Sequence, residues 1–400
     1  MTAVEDAKRR VIEAGIKLMD TGLIARTWGN VSHRIDGGQF VITPSGRDYG
    51  SLTPEDIVTV RISDCSYSGT IKPSSEKGVH AEVYKRFPDV HFVIHTHQEY
   101  ASVISACHVN AIPVDVGLLA GQVLCGAYAL PSTKKLQRNV AKALAHTNNQ
   151  AIIMKNHGAV CYGANDAEAF KAALELDQAC RQYLDDTYKT LTGESLADPA
   201  QISRFALGLG SSAPASASSH DGTPAESKLY HSRRLEDGFV LFDDAGSEIQ
   251  VRYDELDGAM PEEAWVYQQI YRSHKGIHHI RWSGIPEVKA YSLTGKPLKP
   301  LLDDFAQLIG TSAKSVELSP AEVSSALKKS SAALVRGMGA LCCGSTFEDA
   351  IAAGMVLEKN CKAHIGAKLL GQVKPIHYLE SLLMRFVYLK KYSKQAAVIS

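Results

Sequence analysis

Apolar positions in the first half of the chain alternate between helical and strand spacing. Val4, Ala7, Val11, Ala14 and Leu18 recur at the three-to-four-residue interval that puts side chains on one helix face, and Gly22 supplies a stop. Phe40-Val41-Ile42 is a short apolar run that predicts a strand. Thr53-Pro54-Glu55-Asp56 has the form of a helix start, with a threonine cap and proline at the first position. Ser74-Ser75-Glu76 predicts a second start, its helix ending before Pro88. The run from His91 to His97 predicts a buried strand, Ser132 or Thr133 caps a helix over Lys134 to His146, and Ala151 to Met154 predicts another strand. Asn165 with Glu168 resembles a capping box for a long helix reaching about Thr187.

This alternation breaks at Gly208 to Lys228, where Ser, Ala, Gly and Pro replace large apolar anchors. Such a stretch buries too little surface to offset its ordering entropy and is read as a flexible linker. It predicts two domains, 1–207 and 229–400. The halves share a pattern. Gly158, Ala159, Cys161, Gly163, Ala169, Ala172 and Cys180 recur as Gly339, Ala340, Cys342, Gly344, Ala350, Ala353 and Cys361. Upstream, VHFVIHTH fits over GIHHIRWS, which sets Arg281 against His95 and Ser283 against His97, while Met338 stands at the place of His157. The second copy has no evident counterpart of TWGNVSHR, and Pro-Glu-Glu at 261–263 follows the earlier PSSE only loosely. The tail from Tyr378 to Tyr392 carries Leu379, Leu382, Leu383, Phe386, Val387 and Leu389 and predicts a docking helix.

Composition narrows the function classes. Lys and Arg total 43, as do Asp and Glu, so the formal net charge of the 400-residue chain is zero. That argues against nucleic acid or an acidic membrane surface as the main partner, though not against a local anion pocket. No apolar run is long enough to span a bilayer, and the charged N-terminal segment does not read as an export signal, so a cytoplasmic location is expected. The eight cysteines show no zinc-like pairing and are read as reduced, mostly core thiols.

Candidate chemistry gathers in the first half. His95 and His97 sit two apart on the predicted strand, which puts both imidazoles on one face, and His157 follows another strand next to Gly158. Three imidazoles with an open position suit a catalytic zinc or another divalent ion. A single H-x-H is more often an ordinary pair of histidines. Its weight here comes from convergence with Ser74-Ser75-Glu76, an anion cradle beside a ligand or general base, and with Thr27 to Asn30 and Thr43 to Gly46, two polar turns with donors for a phosphate. Taken alone, these are also plain caps and turns.

GNVSHR after Trp28, ITPSG at 42–46, PSSE at 73–76, IHTH at 94–97 and NHG at 156–158 together resemble the class II aldolase/adducin family, over about residues 5–190 and more weakly over about 235–370. The resemblance implies an α/β/α sandwich on a mostly antiparallel central sheet, here duplicated. It implies a divalent metal, usually Zn²⁺ and otherwise Mn²⁺ or another ion, held by His95, His97 and His157. It also implies a phosphate site at Asn30, Ser45, Gly46, Ser74 and Ser75, with Glu76 as acid/base, and four-fold rings with active sites near subunit boundaries.

The expected activity is a metal-dependent carbon–carbon lyase, an aldolase or decarboxylase, acting on a phosphorylated ketose or keto sugar acid through an enediolate. A dehydratase or epimerase on the same fold and a non-enzymatic adducin-like scaffold are the alternatives. One departure is Gly117, at the place where related aldolases can carry a proton-donating Tyr. The second half, without the ligands, is expected to be catalytically silent, with Arg281 the residue best placed to reach the pocket mouth. The assembly is expected to be a homo-oligomer with an even number of chains.

Overall fold

The computed structural model describes residues 2–24, 28–194, 198–210, 229–256 and 260–391. The predicted linker at 208–228 lies outside these beyond Gly210, as does Thr27.

Eight strands form the first sheet: β1 Asn30–Arg34, β2 Gln39–Ile42, β3 Val58–Arg61, β4 Phe92–Thr96, β5 Ala111–Val116, β6 Leu119–Gly126, β7 Ala151–Met154 and β8 Gly158–Gly163. Their order is β3-β2-β1-β4-β8-β7-β6-β5, and every neighbouring pair is antiparallel except β6 with β7. Period-two alternation splits their side chains between two cores. Val31, Val41, Phe92 and Ile94 pack with the helices Ala3–Asp20, Glu99–Ala106 and Asp166–Thr192. Phe40, Ile42, Val93 and Val160 pack on the other face with the helices Lys77–Arg86 and Lys134–Leu144. The result is the expected α/β/α sandwich.

Most local signals hold to within a residue or two. Thr2 caps the first helix in a full capping box, Thr133 caps Lys134–Leu144, and Asn165 caps Asp166–Thr192. Thr53-Pro54 opens only a single 3₁₀ turn, Pro54–Asp56, because the chain passes straight into β3.

A second sheet contains β9 His231–Arg234, β10 Gly238–Phe242, β11 Glu248–Arg252, β12 His279–Ser283, β13 Ser315–Val316, β14 Ala332–Val335 and β15 Gly339–Gly344. Its order, β11-β10-β9-β12-β15-β14-β13, repeats that of the first sheet without a counterpart of β5, and again only one pair, β13 with β14, is parallel. The ladders also correct the sequence alignment. Thr96 pairs with Ala159, and Ser283 pairs with Ala340. Since Ala340 is the repeat of Ala159, Ser283 matches Thr96, Trp282 matches His95 and Gly284 matches His97. Arg281 is therefore not the counterpart of His95. The sequence fit was slipped by one residue, which sends a strand side chain to the opposite face.

The structure likewise supplies the missing counterpart of NVSHR, which is β9. Arg34 donates to the carbonyls of Tyr84, Phe87 and Val90. Arg234 makes the same three bonds, to Tyr271, His274 and Ile277.

The halves meet where helix Glu99–Ala106 lies against helix Phe347–Leu369. A side chain at Gly366 would come within 2.7 Å of Val103, so glycine permits this approach. Leu301, Leu302, Ala363 and Ala367 of the second half are buried in the first half's core. Helix Tyr378–Lys391 packs on the short helix Asp303–Leu308 and leaves Leu379, Leu382, Leu383, Phe386 and Leu389 exposed.

Candidate active site

His95 comes from β4, His97 from the residue just past its end, and His157 from the turn between β7 and β8. Gly158 makes that turn feasible, because a Cβ there would lie 2.2 Å from the Thr96 carbonyl oxygen. Asn156, two residues earlier, has a left-handed backbone with φ of 60°. The three buried rings converge. Centroid separations are 4.7 Å for His95–His97, 4.7 Å for His95–His157 and 4.9 Å for His97–His157. One ligand atom from each lies within 4.8 Å of the others.

The outward nitrogens of His95 and His157 each face an acceptor. His95 Nδ1 lies 2.8 Å from the Ala159 carbonyl, which only accepts, so Nδ1 carries the proton and Nε2 is a lone pair. His157 Nδ1 lies 2.5 Å from Asp303 Oδ2 and donates to it. His97 Nδ1 faces Asp304 Oδ2 at 3.7 Å. All three Nε2 atoms point inward, those of His95 and His97 only 3.0 Å apart and those of His95 and His157 beside Glu76.

Glu76 closes the cluster, with Oε2 3.1 Å from His95 Nε2 and Oε1 3.0 Å from His157 Nε2. Glu76 Oε1 and His157 Nε2 nonetheless have no partner with hydrogen-bond geometry. Imidazole nitrogens and a carboxylate this close together in a buried site form a donor set suited to a divalent cation. An ordinary zinc–nitrogen bond of about 2.0–2.1 Å is compatible with two nitrogens 3.0 Å apart. The donor set fits a divalent metal.

Electrostatics point the same way. Burial works to raise the Glu76 carboxyl, but His157 and His95 override it and hold it well below the usual range. Burial works to discharge His157, but Asp303 and Glu76 on either side raise it far above an ordinary histidine. His95, with burial dominant, is held strongly neutral.

The polar turns border the same cleft. Asn30, Ser45, Gly46, Ser74, Ser75, Glu76 and the three histidines line it together with Asp303, Asp304 and Gln307. Asn30 is held in place: its Oδ1 lies 2.5 Å from His80 Nε2, and its Nδ2 lies 3.4 Å from Glu76 Oε2. Ser32 Oγ lies 2.6 Å from His80 Nδ1. Burial keeps His80 neutral, its pKa pushed down to about 3. His80 then donates to Asn30 and accepts from Ser32. Ser74 Oγ accepts from the Glu76 amide at 3.2 Å. Ser75 Oγ and Ser132 Oγ are 2.7 Å apart.

The structure brings the first-half residues singled out in the sequence into one cleft, and the sequence reading missed those contributed by the second half. Asp303 and Asp304, not Arg281, enter the cleft. His80 was also missed, although its place one turn after Glu76 on a helix that faces β1 was a usable signal.

Comparison with known proteins follows the same outline. The family described as Class II Aldolase and Adducin N-terminal domain matches residues 9–184 and 226–365. A 5-methylthioribulose-1-phosphate/5-deoxyribulose-1-phosphate aldolase of Rhodospirillum rubrum is 33% identical over 177 residues, 43% of this chain and 78% of that protein. A 5-deoxy-D-ribulose 1-phosphate aldolase of Bacillus thuringiensis serovar kurstaki is 27% identical over 183 residues, 45% of this chain and 85% of that protein. A solved L-fuculose 1-phosphate aldolase is 31% identical and covers 48% of this chain and 91% of its own, with a TM-score of 0.43. The chain belongs to the class II aldolase and adducin family.

Proposed function

We propose that this member of the class II aldolase and adducin family is a metal-dependent carbon–carbon lyase, an aldolase or decarboxylase, acting on a phosphorylated ketose or keto sugar acid. The observation that carries the reading is the inward convergence of His95, His97 and His157 Nε2 beside Glu76, with the outer nitrogens of His95 and His157 each donating to an acceptor. That arrangement supports His95, His97 and His157 as ligands of a divalent ion, Zn²⁺ first and Mn²⁺ second. When bound, such an ion supplies a Lewis acid for a carbonyl oxygen and a counter-charge for the negative charge developing on the substrate.

The chain's own residues do the rest. Asn30, Ser45, Gly46, Ser74 and Ser75 bind the phosphate end through hydroxyl, amide and backbone donors, and Gly46, at φ of 70°, turns the loop around it. Glu76 holds the proton exchanged at the enediolate carbon when the carbon–carbon bond breaks or forms. Its carboxylate is suited to this by position, at the mouth of the histidine cluster and aligned by Asn30. A non-enzymatic scaffold has no use for these ligands.

The free state of all eight cysteines, six of them buried, supports a reducing, cytoplasmic setting. No helix among the described residues is long and apolar enough to cross a membrane. The exposed row on helix Tyr378–Lys391 supports a homo-oligomer, for which we expect an even number of chains. The experiment that tests the activity is incubation of zinc- or manganese-loaded protein with a panel of ketose phosphates and keto sugar acids, the products being identified by NMR. Aldehyde release identifies an aldolase and carbon dioxide a decarboxylase. A rearranged or dehydrated sugar, or no turnover by metal-loaded protein, overturns the lyase reading.

A further inference from the structure

The second half keeps none of the three ligand positions, yet one of its loops reaches the histidine cluster of the first half. Asp303 Oδ2 accepts from His157 Nδ1 at 2.5 Å, and the Asp303 amide donates to the Asn156 carbonyl at 3.0 Å. The Asn156 side chain in turn donates to the Leu301 carbonyl at 2.8 Å. The strained turn that carries His157 is thus held on both sides by one loop of the other half.

That loop is itself fixed. Asn360 Oδ1 accepts from the amides of Leu301 and Leu302 at 2.8 and 3.3 Å, and Asn360 Nδ2 donates to the Lys299 carbonyl. Leu301 and Leu302 are wholly buried in the first half's core. Alongside, Lys359 Nζ lies 2.5 Å from Asp304 Oδ2 and donates to the His97 carbonyl at 3.1 Å, so the buried Asp304 is locked opposite His97 Nδ1.

We infer that the second half is the outer shell of the first half's metal centre. Asp303 is a positioning residue that fixes the tautomer and ring orientation of His157, and Lys359, paired with Asp304, holds the backbone of the His97 segment through the His97 carbonyl. This rests on the reading of the three histidines as metal ligands. Loss of its own ligands leaves the second half inactive as a centre but indispensable to the other one. The physical reason is general: a ligating imidazole whose other nitrogen donates to a carboxylate is both oriented and made more basic, and removing such a partner lowers metal affinity by about 10–100-fold.

The test is Co²⁺ titration of the full chain, followed by visible absorption, for the wild type, Asp303→Ala and Asp303→Asn. Chemical denaturation of each metal-free protein reports the fold separately. The expected result is Co²⁺ binding weakened about 10–100-fold by Asp303→Ala, with an altered band shape. Part of this should be recovered in Asp303→Asn, which keeps shape and an acceptor without the charge. If Asp303→Ala does not fold, the isosteric Asp303→Asn decides alone, with weakened binding expected. Variants that bind Co²⁺ within twofold of wild type overturn the inference while leaving the ligand assignment intact, even if their metal-free stability falls. A wild-type chain that binds no Co²⁺ overturns the ligand assignment itself, and this inference with it.

Discussion

Trp282 stands on β12 where His95 stands on β4. His95 pairs across its ladder with Val160, and Trp282 pairs with Leu341, the repeat of Val160. With Gly284 at the place of His97 and Met338 at that of His157, the second sheet offers an indole, a bare backbone and a thioether where the first offers three imidazoles. The expected stoichiometry is therefore one divalent ion per chain, not two. Elemental analysis of the zinc-loaded protein after dialysis checks this, and His95→Ala should take the content to near zero. Two ions per chain, or one retained after His95→Ala, refutes the assignment.

Glu76 touches His95 and His157 but is also the group assigned to proton transfer. Glu76→Gln keeps the shape and the Asn30 contact while removing the base. General acid–base residues contribute about 10²–10⁴-fold. We expect kcat to fall by that amount, with circular dichroism and unfolding midpoint close to wild type. An unchanged kcat would remove Glu76 from the chemistry.

Ser74 sits at the entrance of helix Lys77–Arg86, and its hydroxyl caps the Glu76 amide. Hydrogen bonds to charged groups are worth about 1.5–3 kcal/mol. Ser74→Ala is expected to lower kcat/KM about 10–100-fold for a phosphorylated ketose and far less for the same sugar without phosphate. Equal losses on both substrates would argue for a purely local role in the helix start.

The first-half site was legible because its signals are local. An H-x-H on an apolar strand, a serine-rich helix start and a glycine after His157 each carry their reason in a few neighbouring residues. The fold was legible for the same cause, since Thr133, Asn165 and the alternation through Phe92–Thr96 act within one element. What escaped depended on pairing across long distances. Nothing near Asp303 in the sequence marks it as a partner of His157, 146 residues earlier. The one-residue slip at Arg281 arose because two adjacent positions of a strand look alike until a ladder sets which face each takes. The match of Arg34 with Arg234 was hidden because both act on backbone carbonyls, which leave no side-chain signature.

Gly158 and Gly339 make a paired prediction. A Cβ at either would lie 2.2 Å from a backbone oxygen, that of Thr96 or of Ser283. Neither oxygen can yield without shifting a strand. Overpacking of this sort costs about 1–3 kcal/mol, occasionally more. Gly158→Ala and Gly339→Ala should therefore both destabilise in urea denaturation, Gly339→Ala the more because its φ of 134° adds backbone strain to the clash. Only Gly158→Ala, beside His157, should also weaken Co²⁺ binding. Equal effects of the two variants on Co²⁺ binding would contradict the separation of roles between the halves.

His364 gives the pH dependence its clearest source outside the metal cluster. Burial pushes its pKa down to about 4, against the pull of its hydrogen bond to the Lys299 carbonyl at 2.8 Å. In the unfolded chain it titrates near 6.5. Between those values the unfolded state binds the extra proton, so stability is full above about pH 6.5 and is lost as pH falls toward 4. At pH 5 the loss attributable to this one group is about 2 kcal/mol. His364→Gln keeps a donor for the carbonyl but has no proton to gain, and it gives up the edge contact with Tyr291. It should be less stable than wild type at pH 7.5, while the drop in unfolding free energy between pH 7.5 and pH 5 should be about 2 kcal/mol smaller. An identical drop in both proteins would show that the acid sensitivity comes from other groups.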